Sequence, residues 1–284
     1  MFYVVKKPLG VSSNLVTKIL KRVLKRERVG FAWTLDPLAT GLMIVGTDGS
    51  TRLFPLIENF TKKYRTTIRL DGTTSSYDLE KPIEKLDISE MTIGTITREY
   101  IESILRQHFY GEIMQVPPAY SAVWIDGQRA YDLARKGQNV EIKAKKRVVH
   151  ELKIISYSWP ILVLDIVVSH GTYIRSIARD LWLHMGTGGY LEKLERLSIG
   201  HIDGKNIQWL QHNDILYAEL PHEKLFPNIP VLSLTTEQKT HLRLGSTPLI
   251  TNEQDKHYFV VYEDSSYGLL EVKWGLLYPV KNAV

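Results

Sequence analysis

The run Gly41-Leu42-Met43-Ile44-Val45-Gly46 is unbroken apolar sequence between glycines, which suits a buried strand. Directly before it stands Thr34-Leu35-Asp36-Pro37-Leu38-Ala39-Thr40, so a carboxylate precedes a proline a few residues from that strand. Proline disfavours the α region for its predecessor, which puts Asp36 on an extended or turning loop whose far end the strand anchors. Loop residues held by a rigid scaffold are frequent carriers of function. The other local reading is an Asx-type turn residue with no chemistry.

The chain has 284 residues, 44% of them apolar, enough for one large domain and a small one. Net charge is +5, a mild excess that favours a polyanionic partner such as nucleic acid. The absence of cysteine excludes structural disulfides, thiolate chemistry and Cys-ligated zinc. The nine histidines stand at least ten residues apart, so no local ligand pair of the HxxxH kind exists, and no metal is expected. The N-terminal sequence lacks the basic and apolar regions of a signal peptide. The most apolar stretch, Pro160 to Val168, is broken by Asp165 and far short of the roughly 20 residues that span a bilayer. A soluble cytoplasmic protein is expected.

Residues Phe2 to Val5 read as a strand, stopped by Pro8 and Gly10. Ser12 and Ser13 are N-cap candidates for a helix running to about Arg26, with Val16, Ile19, Leu20, Val23 and Leu24 at helical spacing. Lys18, Lys21, Arg22, Lys25, Arg26 and Arg28 occupy much of its other side, either as a solvated face or as a phosphate-facing one. Tyr64 to Leu70 alternates like a half-exposed strand, and Ile101 to Phe109 reads as a helix. Residues 126–147 are polar and basic, with a short helix near Arg129 to Arg135 and a terminal cluster of Lys143, Lys145, Lys146 and Arg147. Strands are expected at 148–157 and 161–169. A strong helix follows over Tyr173 to Met185, ended by Gly186, Gly188 and Gly189. Proline density from Pro221 to Pro230 suggests a linker. Beyond it come a helix near Glu237 to Leu244 and strands at 258–263, 268–274 and 276–280.

The run TLDPLATG resembles the catalytic motif of the TruB-type tRNA pseudouridine synthases, and further stretches resemble the same family in the same order. They are Lys7-Pro8-Leu9-Gly10-Val11-Ser12-Ser13, Lys63-Tyr64-Arg65, Val116-Pro117-Pro118-Ala119-Tyr120-Ser121-Ala122, and Gly171-Thr172-Tyr173-Ile174-Arg175-Ser176. The resemblance covers residues 3 to 200. It implies an α+β pseudouridine synthase fold: a mixed, largely antiparallel central sheet flanked by helices, with a small, mostly β, PUA-like domain at the C-terminus. The implied division is a catalytic domain over 1–225, with an RNA-gripping insertion at about 118–147, and an RNA-binding domain over 226–284.

The resemblance further implies uridine-to-pseudouridine isomerisation in the T loop of tRNA at position 55, by base flipping and without a cofactor. Asp36 is then the catalytic carboxylate, attacking sugar or base or removing a ribose proton. Arg175 is its partner, keeping it ionised in a dry pocket. Tyr64 stacks on the target base, while Tyr173 and Leu194 line the same pocket. The implied partner is the T stem-loop of tRNA, with no membrane association and no obligate protein partner for a monomeric enzyme. A non-catalytic tRNA-binding or RNA-folding module on the same scaffold is the alternative, and the joint presence of Asp36, Tyr64 and Arg175 argues against it.

The chain departs from the family at Gly30-Phe31-Ala32-Trp33, where Phe31 replaces a histidine thought to wedge into the RNA and Trp33 a common glycine. A phenyl ring retains stacking, worth about 1–3 kcal/mol per base. It loses one side-chain hydrogen bond, about 0.5–1.5 kcal/mol net. Activity is therefore expected to survive with some loss of affinity. Ser75 stands where the family often has aspartate, and Glu195 where a basic residue often precedes Arg196.

Overall fold

The computed structural model describes residues 1–125, 127–138, 141–244, 249–261 and 267–283. The chain opens with β1 (Phe2–Lys7), α1 (Ser13–Val23), β2 (Val29–Ala32) and β3 (Ala39–Thr47), followed by a 3-10 helix over Asp48–Ile57 and β4 (Lys62–Arg69). Short pieces come next: β5 (Gly72–Thr73), β6 (Glu84–Lys85) and α2 (Glu90–Thr95). Then follow α3 (Arg98–His108), β7 (Gly111–Gln115), β8 (Trp124–Ile125), β9 (Gln128–Arg129) and α4 (Ala130–Arg135). The long hairpin of β10 (Lys145–Ser158) and β11 (Ile161–Val168) leads to α5 (Ile174–Met185) and β12 (Tyr190–Ile199). The remainder is β13 (Leu210–His212), β14 (Ile215–Leu220), α6 (His222–Leu225), α7 (Thr236–Arg243), β15 (Leu249–Ile250), β16 (His257–Val261), β17 (Tyr267–Lys273) and β18 (Leu276–Ala283).

The chain forms two compact units. One holds Met1–Pro37, Gly41–Glu58 and Ile202–Val284; the other holds Leu38–Thr40 and Asn59–His201. In the first, β13, β14, β1 and β3 run in that order, and β2 also pairs with β3. As its unbroken apolar run requires, β3 is buried along nearly its whole length. Helix α1 is capped by the Ser12 hydroxyl, which accepts from the Leu15 N–H, and seals Val16 and Leu20 completely from solvent. A four-stranded sheet ordered β15, β18, β17, β16 encloses a core of Leu232, Leu242, Tyr258, Val260, Leu270, Val272 and Leu277.

The second unit orders β12, β4, β11, β10 and β7. Among the described residues the strand pairings within each unit are antiparallel, apart from isolated parallel bridges of Asp78 with Leu191 and Val231 with Phe259. Strand β11 alternates strictly, with Leu162, Leu164, Ile166 and Val168 turned inward. On its other face Asp165 stands opposite Arg65 and takes a bidentate ion pair at 2.7 and 2.9 Å. Helix α5 ends as its glycine announced, with Gly186 left-handed at φ 68°.

Three sequence expectations are corrected. The basic cluster before the long hairpin is partly strand, because Lys145, Lys146 and Arg147 open β10 and pair with β7. Helix α1 stops at Val23 instead of Arg26, since Lys25 turns left-handed at φ 50°. The proline-rich Pro221–Pro230 segment is ordered: Pro221 caps α6, Leu225 and Phe226 are buried, and Phe226 packs 5.5 Å from Phe2 and 5.1 Å from Phe259. Of the expected strand 258–263, residues 262 and 263 lie outside the described residues.

Candidate active site

Asp36 sits half-buried in the irregular stretch between β2 and β3. The backbone on each side of it is immobilised. Ser13, the first residue of α1, accepts the Leu35 N–H at 2.9 Å and donates to the Leu35 carbonyl at 2.9 Å. Ser13 and Leu35 are both buried, so one hydroxyl satisfies two backbone groups that water cannot reach. After Asp36, the Pro37 carbonyl accepts the Gly10 N–H at 2.9 Å and the Lys7 Nζ at 3.0 Å. Gly10 reaches this position at φ 77°, in the left-handed region where glycine carries no steric cost.

Lys7 is 1% exposed, and its ammonium also donates to the carbonyls of Pro8 at 3.0 Å and Val11 at 2.7 Å. A buried charge needs such partners to offset desolvation. The segment Lys7 to Ser13 is therefore the bracket that fixes the Asp36 loop. Phe31 lies half-buried in β2, opposite Val45 of β3. Trp33 has φ 57°, which explains why glycine suits this position: the chain turns left-handed here to leave β2.

The second unit carries Tyr64 and Leu194 on its sheet and Tyr173 and Arg175 at the start of α5. Tyr64, 9% exposed, lies on β4 opposite Ile166 of β11 and Arg196 of β12. Leu194 lies opposite Thr66, one pair further along the same face as Tyr64 and half-buried. Arg196, 1% exposed directly across from Tyr64, went unremarked as a site candidate in the sequence.

Arg175 occupies the first turn of α5 at 4% exposure. Its Nη1 donates to the Ser76 carbonyl at 3.3 Å, its Nη2 to the Tyr120 carbonyl at 2.8 Å, and its Nε lies 3.6 Å from Asp78 Oδ2. The other Asp78 oxygen accepts from the Ser76 hydroxyl at 2.6 Å and the Glu80 N–H at 3.0 Å. Asp78 and Ser76 thus hold the guanidinium, whereas Ser75, the departure noted in the sequence, is exposed.

The start of α5 is tied to the segment before the basic insertion. Buried Gln115 accepts the Tyr173 N–H at 2.8 Å and donates to the Tyr173 carbonyl at 3.1 Å. Ser176 Oγ and Arg179 Nη2 both donate to the Val116 carbonyl, at 2.8 and 3.0 Å. Arg147 Nε donates to the Gly171 carbonyl at 2.9 Å. Gly171 is left-handed at φ 76°, and a Cβ there would lie 3.0 Å from the Arg147 guanidinium. Gln115 is a positioning group that no local sequence signal marks, whereas Lys7 and Ser13 fall in the Lys7-to-Ser13 stretch that carries part of the family resemblance.

Two surfaces carry cations. Lys18, Lys21, Arg22, Lys25, Arg26 and Arg28 line one open basin with Glu27 at α1 and the turn after it. In the insertion, Trp124 is 61% exposed with the Arg129 guanidinium 4.0 Å above its ring, and Lys143, Lys145 and Lys146 are exposed. Among the described residues no group of three His, Asp or Glu side chains could hold a metal ion, and no helix is long and apolar enough to cross a membrane.

Residues 21–174 match the family described as TruB family pseudouridylate synthase (N terminal domain). A protein named tRNA pseudouridine synthase B from Aquifex aeolicus is 34% identical over 288 residues, covering 98% of this chain and 97% of its own length. One of the same name from Parabacteroides distasonis is 45% identical over 202 residues, 69% of this chain and 84% of its own. Among solved structures, a chain of a Cbf5-Nop10-Gar1 complex aligns with a TM-score of 0.66 at 18% identity, covering 99% of this chain and 85% of its own. That likeness is one of fold, and it bears out the α+β pseudouridine synthase fold expected from the sequence.

Proposed function

Since the chain belongs to the TruB family of pseudouridylate synthases and is an isomerase forming pseudouridine in tRNA, we propose that its target is the T-loop uridine at position 55 and that Asp36 is the catalytic carboxylate. The observation that carries this reading is the fixed backbone around Asp36, with Leu35 held by Ser13 and Pro37 by Lys7 and Gly10. A catalytic group gains from being held in one geometry, because misplacement by an ångström costs on the order of a hundredfold in rate.

The reaction balances without an outside reagent. The bond from N1 to C1′ breaks, the base turns, and C5 bonds to C1′. The proton on C5 leaves, and N1 gains one. An ionised carboxylate beside the base is what this sequence needs, and Arg175 is the proposed partner that keeps Asp36 charged. The hold of Asp78, Ser76 and Tyr120 on Arg175 supports a positioned guanidinium. Tyr64 is proposed to stack on the everted uracil, with Tyr173, Leu194 and Phe31 contributing further contacts to the nucleotide.

Everting a base costs a few kcal/mol, which phosphate contacts and stacking offset. The α1 basin and the exposed lysines before β10 are the proposed phosphate-binding surfaces, residues 118–147 the grip on the T loop, and residues 226–284 a PUA-like RNA-binding domain. The same reading makes the protein a cytoplasmic monomer.

The test is to incubate the enzyme with unmodified tRNA transcript, derivatise pseudouridine with carbodiimide, and map it by primer extension. A stop at the T-loop uridine is expected. Modification confined to another arm would sink the T-loop assignment.

A further inference from the structure

Strands β17 and β18 are joined by two residues, Trp274 and Gly275, because Lys273 and Leu276 are already paired. Both joining residues are left-handed, at φ 54° and 72°. A two-residue hairpin of this kind selects Asn-Gly, Asp-Gly or Gly-Gly, since the first position forces a side chain into the left-handed region. Tryptophan is a poor occupant there, and a bulky residue at positive φ is a genuine outlier. Packing does not offset that cost, because Trp274 is 85% exposed, the highest value among the exposed large apolar residues described.

The tip is nevertheless clamped. The Trp274 N–H donates to both carboxylate oxygens of Asp255, at 3.0 and 3.2 Å, and the Gly275 carbonyl accepts the Thr251 N–H at 2.9 Å. The main chain at the tip is thus fixed in a strained conformation while the indole faces solvent. Strained residues persist where function retains them.

We infer that Trp274 is a stacking platform for an unpaired nucleobase of the tRNA substrate. RNA is read chiefly at unstacked bases, which lie on aromatic side chains. Every base has a π-face, so such a platform needs no sequence match. The Asp255 carboxylate, held on the main-chain N–H of Trp274, puts negative charge at the tip and makes it a poor phosphate site, so the contact is with a base and not with the backbone. Its contribution is therefore insensitive to salt, unlike that of a phosphate-binding lysine. The inference rests on tRNA being the substrate and not on which uridine is modified.

The test compares the full-length protein with Trp274→Asn and Trp274→Tyr, measuring melting temperature and the Kd for full-length tRNA. Asparagine suits the left-handed position, so Trp274→Asn melts higher by a few degrees. It binds full-length tRNA roughly tenfold more weakly, by an equal factor at low and moderate salt. Trp274→Tyr retains most of the tRNA affinity. Unchanged tRNA affinity in Trp274→Asn overturns the inference, as does a lower melting temperature, which would show the indole packing on the protein. Because Kd is read instead of turnover, a wild-type enzyme that fails to modify the T loop leaves this result intact.

Discussion

Replacing Ser13 with alanine removes one oxygen from beneath the Asp36 loop and changes nothing at the loop's surface. That oxygen makes two hydrogen bonds of 2.9 Å, to the N–H and the carbonyl of Leu35, and Leu35 is 3% exposed. Each bond is worth about 0.5–1.5 kcal/mol net, and each buried group left unpaired costs about 1–3 kcal/mol. Alanine's better helix propensity at this first position of α1 returns at most several tenths of a kcal/mol. The expected loss of stability is therefore on the order of 2–4 kcal/mol, read from urea unfolding as a lower midpoint at constant slope. Since Leu35 precedes Asp36, the freed backbone also moves the carboxylate, so kcat should fall about tenfold to a hundredfold with KM for tRNA changed little. A stability loss below about 0.5 kcal/mol together with full kcat would refute the reasoning that Ser13 holds this loop.

Lys7→Met keeps the buried length of the side chain while stripping the donor from three carbonyls. It should cost on the order of 3 kcal/mol by denaturant unfolding and lower kcat as Ser13→Ala does; a neutral outcome would mean the ammonium only balances its own desolvation. Asp78→Asn leaves the shape of the Arg175 cradle but removes its charge, and breaking a buried pair in this way costs about 3–5 kcal/mol. Activity should drop in the folded fraction, and retention of wild-type stability and rate would dismiss Asp78 as a holder of Arg175. Burial lowers the pKa of the His222 imidazole, with Glu223 pulling weakly the other way. Below about pH 6.5 the unfolded chain then binds more protons than the folded one. Stability is full above that pH and declines as pH falls through the lowered folded value. His222→Gln should flatten that decline in melting temperature, and an unaltered slope would assign the pH dependence elsewhere.

Much of the site was legible because its chemistry is local in sequence. The Asp-Pro pair and the glycine-bounded apolar run placed Asp36 on an anchored loop before any fold was known, and Gly186 marked the end of α5 where it lies. What remained hidden depends on partners far apart in the chain. Ser13 meets Leu35 across 22 residues, Lys7 meets Pro37 across 30, and Gln115 meets Tyr173 across 58. No local pattern encodes such pairs. Strand β12 escaped notice because register shifts between Leu191 and Lys193 and between Arg196 and Ser198 break the period-two alternation that reveals a strand. The ordered segment at Pro221–Pro230 was masked by its prolines: Pro221 caps α6, and His222, Leu225 and Phe226 are buried between exposed residues. At Trp33 one angle, the left-handed φ of 57°, accounts for the glycine common in the family, while nothing in the structure explains the tryptophan.

The most direct measurement counts tritium released from tRNA labelled at uridine carbon 5, for the wild type and for Asp36→Ala, with tRNA binding followed in parallel. Steady release by the wild type, and none above background by an Asp36→Ala protein that still folds and binds tRNA, is the expected result. Undiminished release from that variant would contradict the account, because the label would then be leaving without the Asp36 carboxylate.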